Sequence, residues 1–300
     1  MRILVTGAYG QLGHELKRCL STMRAEIGPI SDQYANAVVD YVDYDQLDIA
    51  DEGAVDRWFD ARTYDVVFNC AAITNVDGCE ANEEGAFRVN ALGPKYLARA
   101  AQRQGAKFVH VSTDYVFPGD APAPRCESDE TGPISAYGRT KLAGERFALE
   151  ESTKCFICRT AWLYGYVGKN FVKTMIRLGK LHDEVTVVAD QFGNPTSAND
   201  LAYELLRIAA TENYGIYHIT NEGTCSWADF ATRIMERAQL SCKVVPVTSQ
   251  QYKAANPQSA DRPHYSSLEN GKLADTIGNE MRAWEEALDQ YIENLPRLEG

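Results

Sequence analysis

Gly7, Gly10 and Gly13 stand between the apolar run Ile3-Leu4-Val5-Thr6 and a segment whose Leu12, Leu16 and Leu20 share one helical face. The run is short and β-branched, as a buried first strand requires. Glycine suits a sharp turn, a backbone that must touch a pyrophosphate, and a helix packed close on a strand. The helix start adds unpaired N–H groups and partial positive charge facing an anion. The spacing differs by one residue from the usual G-x-G-x-x-G, and a tight strand-to-helix turn needs similar glycines. With strand before and helix after, the segment reads as the opening of a dinucleotide-binding unit.

Strand and helix signals alternate behind it. Strands are expected at 2–6, 38–43, 65–70, 106–112 and 155–160, and helices at 11–22, 51–62, 83–104 and 136–151. Alternation of this kind predicts an α/β fold, a Rossmann-type doubly wound parallel sheet with helices on both faces. The core is expected over 1–160, continued by parts of 196–222. Past residue 160, Pro, Gly, Asn and aromatic residues interrupt shorter elements, as in Asp190-Gln191-Phe192-Gly193-Asn194-Pro195-Thr196. Residues 161–300 read mainly as a smaller, interleaved substrate-binding annex, and 280–295 as a packing helix.

Ligands in such sheets lie beyond the carboxyl ends of the strands. An acidic residue closing the second strand would accept hydrogen bonds from an adenosine ribose; Asp43 fits this best and Asp32 next. No Arg follows closely to grip a 2′-phosphate, which leans towards NADH or dual use. Asp48-Ile49 is placed to hold the adenine, although Asp48 is equally suited to cap the helix at 51–62.

The net charge of −12 carries no basic cluster, which argues against nucleic acid and anionic membrane as partners. No apolar stretch approaches a membrane span, and Met1 leads straight into the first strand, so a cytoplasmic protein without a signal peptide is expected. The eight cysteines are scattered and read as free, buried thiols. Cys155-x-x-Cys158 has redox or half-zinc spacing but lies in a run that reads as a buried strand, and no metal site is expected.

Tyr137 and Lys141 lie four apart at the start of a helical segment and share a face. A tyrosine near its free pKa of about 10 is a poor acid–base group at neutral pH, and an adjacent ammonium favours the phenolate. Lys141 is also placed to bond a nicotinamide ribose. Thr113 is the hydroxyl expected to bond a substrate carbonyl, with Ser112 second; either could simply cap its strand.

These residues resemble the extended short-chain dehydrogenase/reductase superfamily. The Gly loop and Tyr137-x-x-x-Lys141 are common to it. Ser112-Thr113-Asp114-Tyr115-Val116-Phe117 and Arg159-Thr160-Ala161-Trp162 are specific to one branch, and Asn69 to Asp77 and Arg262-Pro263 extend the likeness over most of the chain. The resemblance implies reduction of the C4 ketone of a dTDP-linked 4-keto-6-deoxy sugar, dTDP-4-dehydro-6-deoxy-L-mannose, by NADPH or NADH with Tyr137 as proton donor. It implies that Gly7, Gly10, Gln11, Leu12, Gly13, Asp48, Ile49, Ala71, Ala72 and Ile73 line the cofactor. Asp114 would assist the substrate and Trp162 would pack on the sugar. Arg262 would bond the diphosphate or anchor the annex, a bidentate guanidinium suiting phosphate. Asn90 falls where the superfamily places a helix-kinking Asn, or is a plain helix-boundary residue. Related dehydratases carry an acid at the position of Tyr115, which disfavours water elimination; an epimerase, and a non-catalytic NADP-binding regulatory subunit, remain as rivals. Some relatives dimerise through magnesium held by glutamates. Glu15 matches one ligand, but Asn199 and Asp200 stand where a Glu belongs. Glu15 is therefore expected to face solvent, and the protein to be a monomer or weak homodimer.

Overall fold

The computed structural model describes residues 1–298. Its first half alternates strands and helices: β1 (Arg2–Thr6), α1 (Gln11–Thr22), β2 (Val38–Val42), α2 (Glu52–Asp60), β3 (Val66–Asn69), α3 (Val76–Ala81), α4 (Glu83–Phe87), α5 (Gly93–Gln104), β4 (Lys107–Thr113), α6 (Ala136–Glu151) and β5 (Cys155–Thr160). The second half holds β6 (Leu163–Tyr164), α7 (Phe171–Gly179), β7 (Glu184–Val188), β8 (Phe192–Gly193), β9 (Thr196–Ser197), α8 (Ala198–Ala209) and β10 (Gly215–His218). It closes with β11 (Cys225–Ser226), α9 (Trp227–Arg237), β12 (Lys243–Val247), α10 (Ser249–Ala255), α11 (Gly271–Ile277) and α12 (Trp284–Leu298).

Six strands form the central sheet in the order β10-β5-β4-β3-β1-β2, every neighbouring pair parallel. Strands buried on both faces must be apolar throughout, and Ile3, Leu4 and Val5 are fully buried. One face packs on α1 and α8 through Leu16, Leu201 and Leu205; the other packs on α2 and α5 through Val55, Leu97 and Ala101. The chain leaves β1 towards β2 on one side and returns to β3 on the other. That reversal puts the topological switch point between β1 and β3, where a doubly wound sheet opens a crevice for ligand.

Cys155 and Cys158 illustrate the period-two logic of a strand. Three residues apart on β5, they join opposite core faces, so they cannot share a metal ion. All eight cysteines are free thiols.

The helix expected over 83–104 is interrupted. Between α4 and α5, residues Arg88–Leu92 form a π-helical turn. Buried Asn90 explains it: its Nδ2 donates to the Ile73 carbonyl (3.0 Å), and its Oδ1 accepts from the Ile73 N–H (2.8 Å). The kink therefore pins the loop after β3, and Asn90 is the bulge residue rather than a boundary one.

Beyond β5 the small sheets β7–β12, β8–β11 and β6–β9 gather around an aromatic cluster. Two segments return to the core: β10 extends the central sheet beside β5, and α8 lies against α1. No helix among the described residues is long and apolar enough to cross a membrane.

Candidate active site

Gly7 has φ +65°, and a Cβ there would lie 2.7 Å from the Ala71 nitrogen, so the turn admits only glycine. A Cβ on Gly13 would meet the Gly7 carbonyl oxygen at 2.4 Å, which is the close helix–strand approach the motif predicts. The N-cap of α1 is Gly10, with no side-chain cap and no acidic residue in the first turn. Its N–H groups are thus uncompensated from within the helix, which suits an anionic phosphate.

A cleft of about 540 Å³ runs from this turn past the ends of β1, β2 and β3. Gly7, Gly10, Asp43, Asp48, Ile49, Ala71, Ala72 and Ile73 all line it, together with exposed Tyr9 and Tyr44. Asp43 follows β2 directly. Its Oδ2 accepts from the Tyr9 N–H (2.9 Å) and its Oδ1 from the Tyr44 N–H (2.8 Å). Asp32 instead opens a short 3₁₀ turn away from the cleft. Asp48 accepts from the Ala50 N–H (2.9 Å), while Asp51 caps α2. Ile49 packs against Gly93.

A second cleft of about 450 Å³ shares Gly7, Gly10, Cys70 and Ala72 with the first and holds the chemistry-bearing groups. Gln11, Leu12, Gly13, Thr113, Asp114, Tyr137, Lys141 and Trp162 all border it. Leu12 sends its side chain into the core. The Gln11 carboxamide turns towards the annex, its Oε1 accepting from the Gly165 N–H (2.8 Å) and from Asn170 Nδ2 (2.9 Å).

Ser135 caps α6, accepting from the Gly138 N–H at 3.2 Å, and so sets Tyr137 and Lys141 on the first turns facing the cleft. Gly138 and Gly144 let this helix approach closely: Cβ atoms there would lie 2.2 Å from the Tyr115 and Asn90 carbonyl oxygens. Tyr137 is half-buried, edge-on to Tyr115 with ring centroids 5.7 Å apart. Burial raises its phenol above the usual value, the Thr113 hydroxyl acting against that rise and the Asp114 carboxyl adding to it.

The expected Tyr–Lys electrostatics do not hold in this state. Lys141 is buried and donates to the Val111 carbonyl at 2.6 Å, and it is not among the groups that act on the phenol. Burial draws its pKa down to about 8. Sharing a helical face set the two side chains near one another, but the β4 carbonyl captured the ammonium.

Thr113 donates to Asp114 Oδ1 (2.8 Å) and accepts from the Tyr115 N–H (3.2 Å), so it caps its strand and borders the cleft at once. Asp114 is buried, its Oδ2 without a hydrogen-bond partner among the described residues, and burial lifts its carboxyl to about 7. Ser112 also borders the cleft, but its hydroxyl donates to Glu145, which pairs with buried Arg159 at 2.7 Å.

Trp162 has φ +45°, an unfavourable backbone for a bulky residue, and its ring stacks on Trp227 at 3.5 Å and 7°. Trp227 in turn lines an annex groove of about 440 Å³ with Phe171, Gln191, Tyr252 and Arg262. The stacked pair thus joins the two spaces. Arg262 bonds Asp77 of α3 at 3.1 Å and Ser259 at 2.6 Å, so it does anchor annex to core while its guanidinium borders the groove. Sequence reasoning missed Trp227 and Tyr252, which carry no motif. It quoted Gln191 and passed over it.

Glu15 corrects another expectation: it is fully buried. It lies on the stripe of Leu12, Leu16 and Cys19, where Arg18 (2.8 Å) and Asn199 Nδ2 (2.7 Å) satisfy its carboxylate. No cluster of three or more His, Cys, Asp or Glu among the described residues is arranged to hold a metal.

Comparison with known proteins identifies the family. The chain is 42% identical over 294 residues to the dTDP-4-dehydrorhamnose reductase of Mycobacterium tuberculosis, covering 96% of this chain and 91% of that protein. The crystal structure of a dTDP-4-dehydrorhamnose reductase from Clostridium acetobutylicum matches with a TM-score of 0.91 and 46% identity over 99% of this chain and 100% of that one. That of the dTDP-4-dehydrorhamnose reductase from Bacillus anthracis, solved in complex with NADP, matches at 0.89 and 39% over 98% and 99%. With a family model matching residues 1–297, the chain belongs to the RmlD substrate binding domain family, on an extended short-chain dehydrogenase/reductase fold.

Proposed function

We propose that the protein reduces the C4 ketone of dTDP-4-dehydro-6-deoxy-L-mannose to give dTDP-L-rhamnose. The observation that carries this reading is one cleft bordered by the glycine turn, Thr113, Tyr137, Lys141 and Trp162. The uncapped α1 N-terminus and the glycine cradle suit a dinucleotide pyrophosphate, and Asp43 stands where an adenosine ribose would lie. NAD(P)H, when bound, supplies the hydride to C4.

The chain's own residues do the rest. Thr113 orients the carbonyl, and Tyr137 gives its phenolic proton to the forming alkoxide. The raised pKa keeps that proton on the phenol until negative charge develops beside it. Lys141, held on the Val111 carbonyl, bonds the nicotinamide ribose. Trp162 packs on the sugar, Asp114 assists it, and Arg262 with the annex groove receives the nucleotide diphosphate.

Following the loss of reduced-nicotinamide absorbance with the 4-keto sugar tests this. Tyr137→Phe is expected to lower kcat by about 10³-fold, the range of a lost general acid, while cofactor binding persists. Sugar-independent oxidation, or full activity in Tyr137→Phe, refutes the reading. Retained cofactor binding without turnover of any keto sugar points to a regulatory role.

A further inference from the structure

A row of polar side chains crosses the central sheet beneath the cleft. Register places Thr6 beside Asn69 and Asn69 beside His110, so the three stand side by side on one face across β1, β3 and β4. Each is at most 1% exposed. The Thr6 hydroxyl donates to Asn69 Oδ1 (2.7 Å), the Asn69 carboxamide meets His110 Nδ1 (3.0 Å), and His110 Nε2 faces Lys141 Nζ at 3.5 Å.

Apolar residues would fill these positions at less cost, because buried polar groups must be bonded to be tolerated. The row therefore needs an account beyond packing. Its terminus supplies one. Burial and the nearby Lys141 charge hold His110 neutral, so one ring nitrogen keeps a lone pair. With Nε2 accepting from the ammonium, Nδ1–H needs an acceptor. The Asn69 carboxamide provides it with its oxygen turned to the ring, filling the same space in either orientation. Its amino group then donates to the Thr6 oxygen, and both ends of the carboxamide and both ring nitrogens are bonded.

We infer that His110 is a positioning residue for Lys141: backed by Asn69 and Thr6, it holds the ammonium at the floor of the cleft and keeps it charged. The inference rests on the proposed reading of Lys141 as the cation that contacts the cofactor. Burial draws the Lys141 pKa down to about 8 against the opposing pull of the Glu145 carboxylate and the Cys70 thiol, and the His110 acceptor works in the same direction as those two groups.

The test is fluorescence titration of NADH and NADPH across pH, made on folded variants with matched thermal melts. His110→Phe keeps the ring volume and its stack on Phe108 but removes the acceptor; His110→Gln restores an acceptor near Nε2. His110→Phe is expected to weaken binding about tenfold at neutral pH, the scale of one hydrogen bond to a charged group. The pH at which affinity falls should move down by about one unit. His110→Gln should return both most of the way. In a Lys141→Met background His110→Phe should add nothing, since its effect runs through the missing ammonium.

Wild-type titration by His110→Phe, no rescue by His110→Gln, or an undiminished loss in Lys141→Met overturns the inference. Should His110→Phe not fold, His110→Asn, which reaches Asn69 but falls short of Lys141, carries the same comparison. If Lys141→Met alone binds cofactor like wild type at every pH, the reading of Lys141 fails. If Lys141→Met weakens binding and His110→Phe does not, only the role of His110 fails.

Discussion

Asp43 turns both carboxylate oxygens onto main-chain N–H groups of Tyr9 and Tyr44, which fixes a negative charge at the rim of the cleft. Asp48 adds a second, and no Lys or Arg lines that cleft. A 2′-phosphate would meet repulsion there, so NADH should bind better than NADPH. Asp43→Ala should improve NADPH relative to NADH by about tenfold, matching the ~1–2 kcal/mol that two charges exchange near a surface; an unchanged Kd ratio refutes this. Asp114 makes a separate prediction. Its pKa rises from 3.8 to about 7 on folding, so the folded protein holds a proton the unfolded chain has released. The stability this confers is complete below pH about 4 and is lost as pH rises through about 7. Asp114→Asn should therefore gain Tm over wild type progressively across that window, and parallel Tm–pH curves would contradict it. Residue identity alone disclosed the Gly turn, Tyr137, Lys141 and Thr113. It did not disclose where Lys141 points, because the Val111 carbonyl that receives it belongs to another element.

Elements were legible wherever a local pattern sufficed. The expected strands and helices through residue 160 match those found to within a residue or two at their ends, since each carries its own periodicity and punctuation, except that 83–104 divides into α4, a π-helical turn and α5, and that α3 was not expected. The π-helical turn at Arg88–Leu92 was not legible, because its cause is a hydrogen-bond pair from Asn90 to Ile73 on a different segment. The burial of Glu15 was not legible for a related reason: without a Glu at 199 or 200 it had no evident partner, whereas Asn199, far along the chain, supplies one as a hydrogen-bond donor. The helix α6 is held close by its glycines. Gly144→Ala would drive a methyl into the Asn90 carbonyl oxygen, 2.2 Å from the ideal Cβ position, and disturb the turn that orders Ile73. A loss of about 3 kcal/mol is expected in urea unfolding, the upper range for overpacking, with cofactor affinity falling too. Unchanged stability would mean that α6 shifts freely.

At the scale of the molecule, a buried charge network ties annex to core. Asp200 of α8 pairs with Arg282 at 2.6 Å, Arg282 reaches Glu26 at 3.5 Å, and Glu26 meets Arg18 at 3.0 Å. Removing one member strands the others. Arg282→Met should cost about 3–5 kcal/mol in chemical denaturation by leaving Asp200 buried and unpaired, and a cost below ~1 kcal/mol would show the network to be dispensable. This level was the least legible, since pairs between residues 26, 200 and 282 leave no periodic trace. Gln11 extends the same union to the binding sites. It opens the helix whose N–H groups would face the phosphates of a bound dinucleotide, yet its carboxamide holds Gly165 and Asn170 of the annex. On the proposed reading, cofactor and sugar nucleotide would address one mechanical unit from two sides. Whatever factor the first ligand lends to the affinity of the second, the second returns to the first, so measuring either ligand alone leaves that factor out.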